Sequence, residues 1–215
     1  MITIEPLMQR LSERRPIFYS EADFQHELAI ELRTMDPDIQ IRLEYPFGEG
    51  SRASLDVLLR KGADQFGLEL KYLCRSADLT VAGERFQLRN QSARDLRRYD
   101  VCKDVVRIEE FSRRFGAAGG VLVLTNDPAY WSSRGRIHAC DAAFDLSDLR
   151  TLSGVLAWTD RAGAGTMKGR EAPLIIANSY ALRWHDYTKL AGGGGHLRYL
   201  YIPVGKHGTP GVNAA

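Results

Sequence analysis

Glu69 and Lys71 stand two residues apart in the apolar run from Phe66 to Leu73. In an extended strand side chains alternate between faces, so these two leave one face while Leu68, Leu70 and Tyr72 leave the other. Asp56 interrupts a second apolar run, Leu55, Val57, Leu58 and Leu59. If the two runs pair as a hairpin, Asp56 approaches Glu69 from the side. Carboxylates that converge in an apolar setting repel one another and lose solvation, which is tolerable chiefly when a cation neutralises them. A hard ion with a preference for oxygen, magnesium first, suits such a set.

The elements around these residues follow from periodicity and punctuation. Ser20, with Glu21 and Asp23 after it, has the form of a helix N-cap, and Phe24, Leu28 and Leu32 repeat at helical spacing, so a helix is expected from about Ser20 to Thr34. Asp36-Pro37 ends it, and Ile39, Ile41 and Leu43 then alternate as in a strand, followed by a turn at Gly48 to Ser51. Strands are expected at Ser54 to Arg60 and Phe66 to Leu73, joined through Lys61-Gly62-Ala63-Asp64. A helix is read from about Glu84 to Phe115, with Leu96, Tyr99, Cys102 and Val106 on one stripe, and Val121 to Leu124 as a buried strand. Pro173 to Tyr187 and Leu197 to Val204 look like further strands, which the glycine-rich connection Ala191 to Gly195 would let pair as a hairpin. The order helix, three strands, helix, strand gives an α/β class with a mixed central sheet flanked by helices and additional C-terminal strands.

An aspartate, twelve residues, then Glu-x-Lys resembles the PD-(D/E)XK nuclease superfamily, the restriction-endonuclease-like proteins. The resemblance covers roughly residues 20–127, and Leu55 stands where the motif's name has a proline. It implies that Asp56 and Glu69 hold Mg2+, or Mn2+ as a substitute, with help from the Leu70 carbonyl. It implies that Lys71 orients or activates the attacking water and that Glu27 assists from the preceding helix, with Glu31, one helical turn on, as the alternative acid. Asp56, Glu69, Lys71 and Glu27 are thus the expected catalytic set, and endonucleolytic hydrolysis of phosphodiester bonds in DNA, in restriction or phage defence, the expected activity. RNA as substrate, or a catalytically silent nucleic-acid-binding module, are the alternatives. Cutting both strands of a duplex calls for two active sites and hence a homodimer.

Gln87, Gln91, Arg94 and Arg98 would share one face of the expected helix and suit contacts to nucleic acid. Nine Lys or Arg against six acids between Glu84 and Arg114 add a local basic excess. Arg134 and Arg136 lie in a loop that offers a second place for such contacts. Gly163 to Lys168 lacks the spacing of a phosphate loop, and His185, Asp186 and His196 lack the neighbours of a hydrolase. Aromatics such as Trp184, Tyr187, Tyr199 and Tyr201 suit a sheet core.

The 215 residues are read as one domain, with a motif-bearing core at about 20–127 and a C-terminal extension of the sheet at about 150–207. A net charge of +2 permits a polyanionic partner without requiring one. Three separated cysteines, Cys74, Cys102 and Cys140, argue against a disulfide framework and a zinc site. With no leader-like apolar run and no membrane span in the sequence, a cytoplasmic protein is expected.

Overall fold

Gln40 to Leu73 fold into three successive antiparallel strands, β1 (Gln40–Pro46), β2 (Ser54–Lys61) and β3 (Asp64–Leu73). The computed structural model describes residues 2–48, 54–132 and 138–206. The N-terminal segment forms a helix that the sequence pattern had not suggested, α1 (Ile4–Arg14), whose buried Ile4, Leu7, Met8 and Leu11 have helical spacing. Next comes α2 (Glu21–Met35), close to expectation, with the Ser20 hydroxyl accepting from the Asp23 amide at 3.1 Å.

The expected helix from Glu84 is corrected. Its first part belongs to a hairpin of β4 (Ala77–Val81) and β5 (Glu84–Leu88), and the helix, α3, spans only Arg94–Phe115. Ala82 and Gly83, both at positive φ, make the two-residue turn, and Leu79, Phe86 and Leu88 are buried in alternation. Strand β6 (Ala118–Thr125) then runs parallel to β3, as a crossover helix allows.

The C-terminal part is also divided differently. Residues expected to form one strand from Pro173 to Tyr187 are two, β8 (Leu174–Ala181) and β9 (Trp184–Lys189). Strand β8 pairs with the unanticipated β7 (Thr151–Leu156) in a separate ribbon, so only part of this region extends the central sheet. Strand β10 (His196–Val204) pairs with β9 across the glycine-rich connection and with β6. Gly163 to Lys168 carry a single short turn of helix, α4 (Ala164–Met167), at an exposed place.

The central sheet is therefore six-stranded and mixed, in the order β1-β2-β3-β6-β10-β9. On one face Leu68, Leu70 and Tyr72 pack with Phe18, Phe24 and Leu28 of the α1 and α2 layer. On the other, Val121 and Val123 pack with Val105, Ile108 and Phe111 of α3. Glycines allow α3 to lie close: a Cβ on Gly67 would meet the Phe111 ring at 3.0 Å, and one on Gly119 the Ile108 side chain at 2.8 Å. Among the described residues no helix is long and apolar enough to cross a membrane.

Candidate functional site

The site lies where β2 leaves β3. Their ladder ends at the pair Val57 and Leu68, although β3 continues along β6 to Leu73. Leu70 and Tyr72, two and four residues beyond Leu68, direct their amides and carbonyls to the edge that β2 has vacated. Side chains satisfy them. Asp56 Oδ2 accepts from the Leu70 amide at 2.6 Å, and Glu21 Oε2 from the Tyr72 amide at 2.8 Å. Lys71 Nζ donates to the Leu70 carbonyl at 3.0 Å, and Gln91 Nε2 to the Tyr72 carbonyl at 3.2 Å. Gln25 Nε2 fixes Asp56 from behind, donating to its carbonyl at 2.8 Å.

The odd-numbered residues of β3 face α3. Glu69 is fully buried; its Oε2 accepts from Arg107 Nη1 at 2.8 Å, while Oε1, also buried, has no hydrogen-bond partner among the described residues. Lys71 Nζ is 2.8 Å from Asp104 Oδ2, and Arg107 Nη1 is 3.3 Å from Asp104 Oδ1. Four carboxylates (Glu21, Asp56, Glu69, Asp104) thus neighbour two cations (Lys71, Arg107), so the fully ionised cluster is two charges more negative than positive.

The electrostatics follow from that imbalance. Burial, reinforced by Asp104 and Asp56, pushes the Glu69 carboxyl up to about 9 against the pull of Arg107. Burial also raises Asp104, despite Lys71 and Arg107, and Glu21, despite Lys71 and the Tyr72 amide. Burial favours the neutral form of Lys71, but Asp104, Glu21 and Asp56 outweigh it and hold the ammonium above its ordinary range. Lys71 is accordingly a fixed cation near neutral pH, poorly suited to accept a proton.

Asp56, Glu69 and Lys71 are brought together, and the Leu70 carbonyl lies among them, bonded to Lys71. Glu27 is not brought in: its carboxylate pairs with Arg14 at 2.6 Å, and Glu31 pairs with Arg10 and Arg14. Glu21, in the first turn of α2, is the helix acid that reaches β3.

The expected docking face is dispersed. Gln87 sits on β5 with its amide 3.4 Å from Asp78, and Gln91 lies in the connection before α3. Arg94 opens α3 and pairs with Asp127 at 2.5 Å. Arg98 is buried, bonded to Asp141 at 2.9 Å and to the Ala129 carbonyl at 2.7 Å, and is therefore a packing element. Arg134 and Arg136 lie outside the described residues.

Asp104 and Arg107 are contributors that the motif does not include. A signal for the first is present in the sequence: Asp104 falls at the three- and four-residue steps that join Val101 to Ile108, where an apolar residue belongs.

The site's donors are carboxylate and carbonyl oxygens, the kind a hard divalent cation prefers, and Glu69 Oε1 has no hydrogen-bond partner among the described residues. No group of three His, Cys, Asp or Glu among the described residues is close enough to form a ready-made metal cage. Arg107 and the Leu70 amide already engage the acids. Compared with models of known protein families, with curated proteins and with solved structures, the chain matches none.

Proposed function

We propose that this chain is a divalent-metal-dependent nuclease of the restriction-endonuclease-like kind, hydrolysing phosphodiester bonds in DNA. One observation carries the reading. Asp56, Glu69 and Lys71 come together beside the strand edge that β2 vacates, in a buried cluster whose four acids outnumber its two cations and in which one Glu69 oxygen has no hydrogen-bond partner among the described residues. Buried acids that outnumber the protein cations beside them fit a site made for an exchangeable cation. The order α2, β1, β2, β3, α3, β6, with β6 parallel to β3, agrees with the core expected from the motif.

Asp56 and Glu69, with Glu21 in place of Glu27, would hold Mg2+ or Mn2+. When bound, the ion would lower the pKa of water and offset charge developing on the phosphate. Lys71, kept protonated by Asp104, steadies the attacking water and the phosphate oxygens as a donor. Asp56 and Glu21 are held by backbone amides, so their carboxylates are oriented before substrate arrives. A homodimer would supply two such sites to a duplex.

The test is cleavage of supercoiled plasmid with Mg2+, with excess chelator, and with Glu69→Gln and Asp56→Asn. Cleavage should require the metal and fall by on the order of a thousandfold in each variant, equivalent to about 4 kcal/mol of barrier. Unchanged cleavage in either variant would sink the assignment. A matched single-stranded RNA substrate decides between DNA and RNA. The Arg107 contact on Glu69 favours one second reading, a catalytically silent nucleic-acid-binding module in which the chain's own cations close the site. Binding without cleavage in every metal would establish it.

A further inference from the structure

Arg107 makes two contacts through one nitrogen. Its Nη1 is 2.8 Å from Glu69 Oε2 and 3.3 Å from Asp104 Oδ1. Asp104 sits one helical turn before it on α3, and the second Asp104 oxygen is committed to Lys71 at 2.8 Å. The Arg107 side chain is 26% exposed, whereas Glu69 is fully buried, so of the two partners only the guanidinium has room to move outward.

We propose that Arg107 is the built-in counter-ion of Glu69, holding that carboxylate until a divalent cation displaces the guanidinium onto Asp104. The proposal rests on the metal-dependent reading above. The exchange leaves no cation stranded: Arg107 gives up one acid and keeps the other, already within ion-pair distance. It also frees Oε2 of Glu69 to join Oε1, which has no partner to give up, so both oxygens of the buried carboxylate become available together. A plain structural pair has the same distances but the opposite consequence, because its removal loosens β3 against α3 and weakens anything that binds there.

The experiment is calorimetric titration of the full chain with Mn2+ at about pH 8.5, where protons compete less for the raised carboxyls than at neutral pH. It is paired with the Mn2+-induced rise in melting temperature. Wild type, Arg107→Gln, Arg107→Lys and Glu69→Gln are compared. Removing a like-charged competitor a few ångströms from the metal should tighten Mn2+ binding in Arg107→Gln by at least about tenfold. The metal-induced rise in melting temperature should grow with it. Arg107→Lys, which keeps the charge on a shorter and more strongly hydrated ammonium, should show an intermediate gain and covers a failure of the glutamine variant to fold. Glu69→Gln should bind Mn2+ more weakly than wild type. If wild type binds Mn2+ and neither Arg107 variant binds it more tightly, the counter-ion role is overturned and the nuclease reading stands. If neither wild type nor the Arg107 variants bind Mn2+ at all, the metal site itself is wrong, and this inference goes with it.

Discussion

Two buried glutamates meet at α3 and are treated in opposite ways. Glu109, on the helix, receives four hydrogen bonds: Asn178 N at 3.0 Å, Asn178 Nδ2 at 3.1 Å, the Tyr180 hydroxyl at 2.8 Å and Ala177 N at 2.9 Å. It sits where the β7–β8 ladder shifts register and leaves Ala177 and Asn178 out of the pairing, so the carboxylate takes over amides that the ribbon freed. Glu69, facing the helix from β3, has one arginine on one oxygen and, among the described residues, no hydrogen-bond partner on the other. A fully saturated buried carboxylate ties elements together. An unsaturated one beside two further acids is costly to the fold, and that cost is the expected mark of a site whose last partner comes from outside.

The comparison breaks most readily on stability. Glu109→Ala leaves several donors unsatisfied in the interior and should lower the unfolding free energy by about 3 kcal/mol, with or without Mg2+. Glu69→Gln removes a burdened charge while keeping an acceptor for Arg107, and should change stability by less than about 1 kcal/mol in either direction. Urea denaturation of both variants measures this. Equal losses in the two would show that Glu69 is as structural as Glu109.

A smaller effect sharpens the same contrast through pH. A carboxyl held up to about 9 in the folded protein binds protons that the unfolded chain has already released. Across that window the folded state carries more protons, so this group makes stability fall as pH rises from about 5 to about 9. Glu69→Gln should flatten the fall without abolishing it, because Asp104 and Glu21 are raised as well and act in the same direction. Urea midpoints at pH 5, 7 and 9 give the slopes, and parallel profiles for wild type and variant would remove Glu69 as their source.

What could be read in the sequence follows the range of the interactions. Strands β1 to β3, helix α2 and strand β6 declare themselves through local alternation, capping and apolar runs, and the motif acids lie on them. The β4–β5 hairpin did not, because Arg85, Gln87 and Arg89 alternate with Phe86 and Leu88 in a charged segment that also satisfies a helical pattern. The surroundings of the helix acids were hidden for a different reason: that Arg14, on the unanticipated α1, engages Glu27 and Glu31 while Glu21 reaches the Tyr72 amide is tertiary information. Asp104 and Arg107 were visible as charges on a helix, but their role depends on α3 crossing β3 through the close approaches at Gly67 and Gly119, which is tertiary information.

The smallest effect concerns adjacent arginines of α3 that differ as the two glutamates do. Arg98 is enclosed by Asp141 and the Ala129 carbonyl, its side chain 1% exposed, so its removal reports on folding. Arg97 is 45% exposed, with Asp100 at 3.5 Å its ion-pair partner among the described residues. Arg94, Arg97, Val101 and Asp104 follow three- and four-residue steps, which places Arg94 and Arg97 on the helical stripe that leads to Asp104. A phosphate backbone reaching the cluster along α3 would meet them first. Replacing both with alanine should weaken DNA binding and make its dependence on salt shallower by about one unit for each phosphate no longer neutralised. Cleavage at saturating enzyme should persist, because neither arginine touches the acids of the cluster. Arg94 is the weaker probe of the two, since its pair with Asp127 also has to be broken, so the Arg97→Ala single variant is the cleaner measurement. If affinity and slope both match wild type, the exposed arginines of α3 are solvated surface, and the unsatisfied acids of the site receive their substrate from another direction.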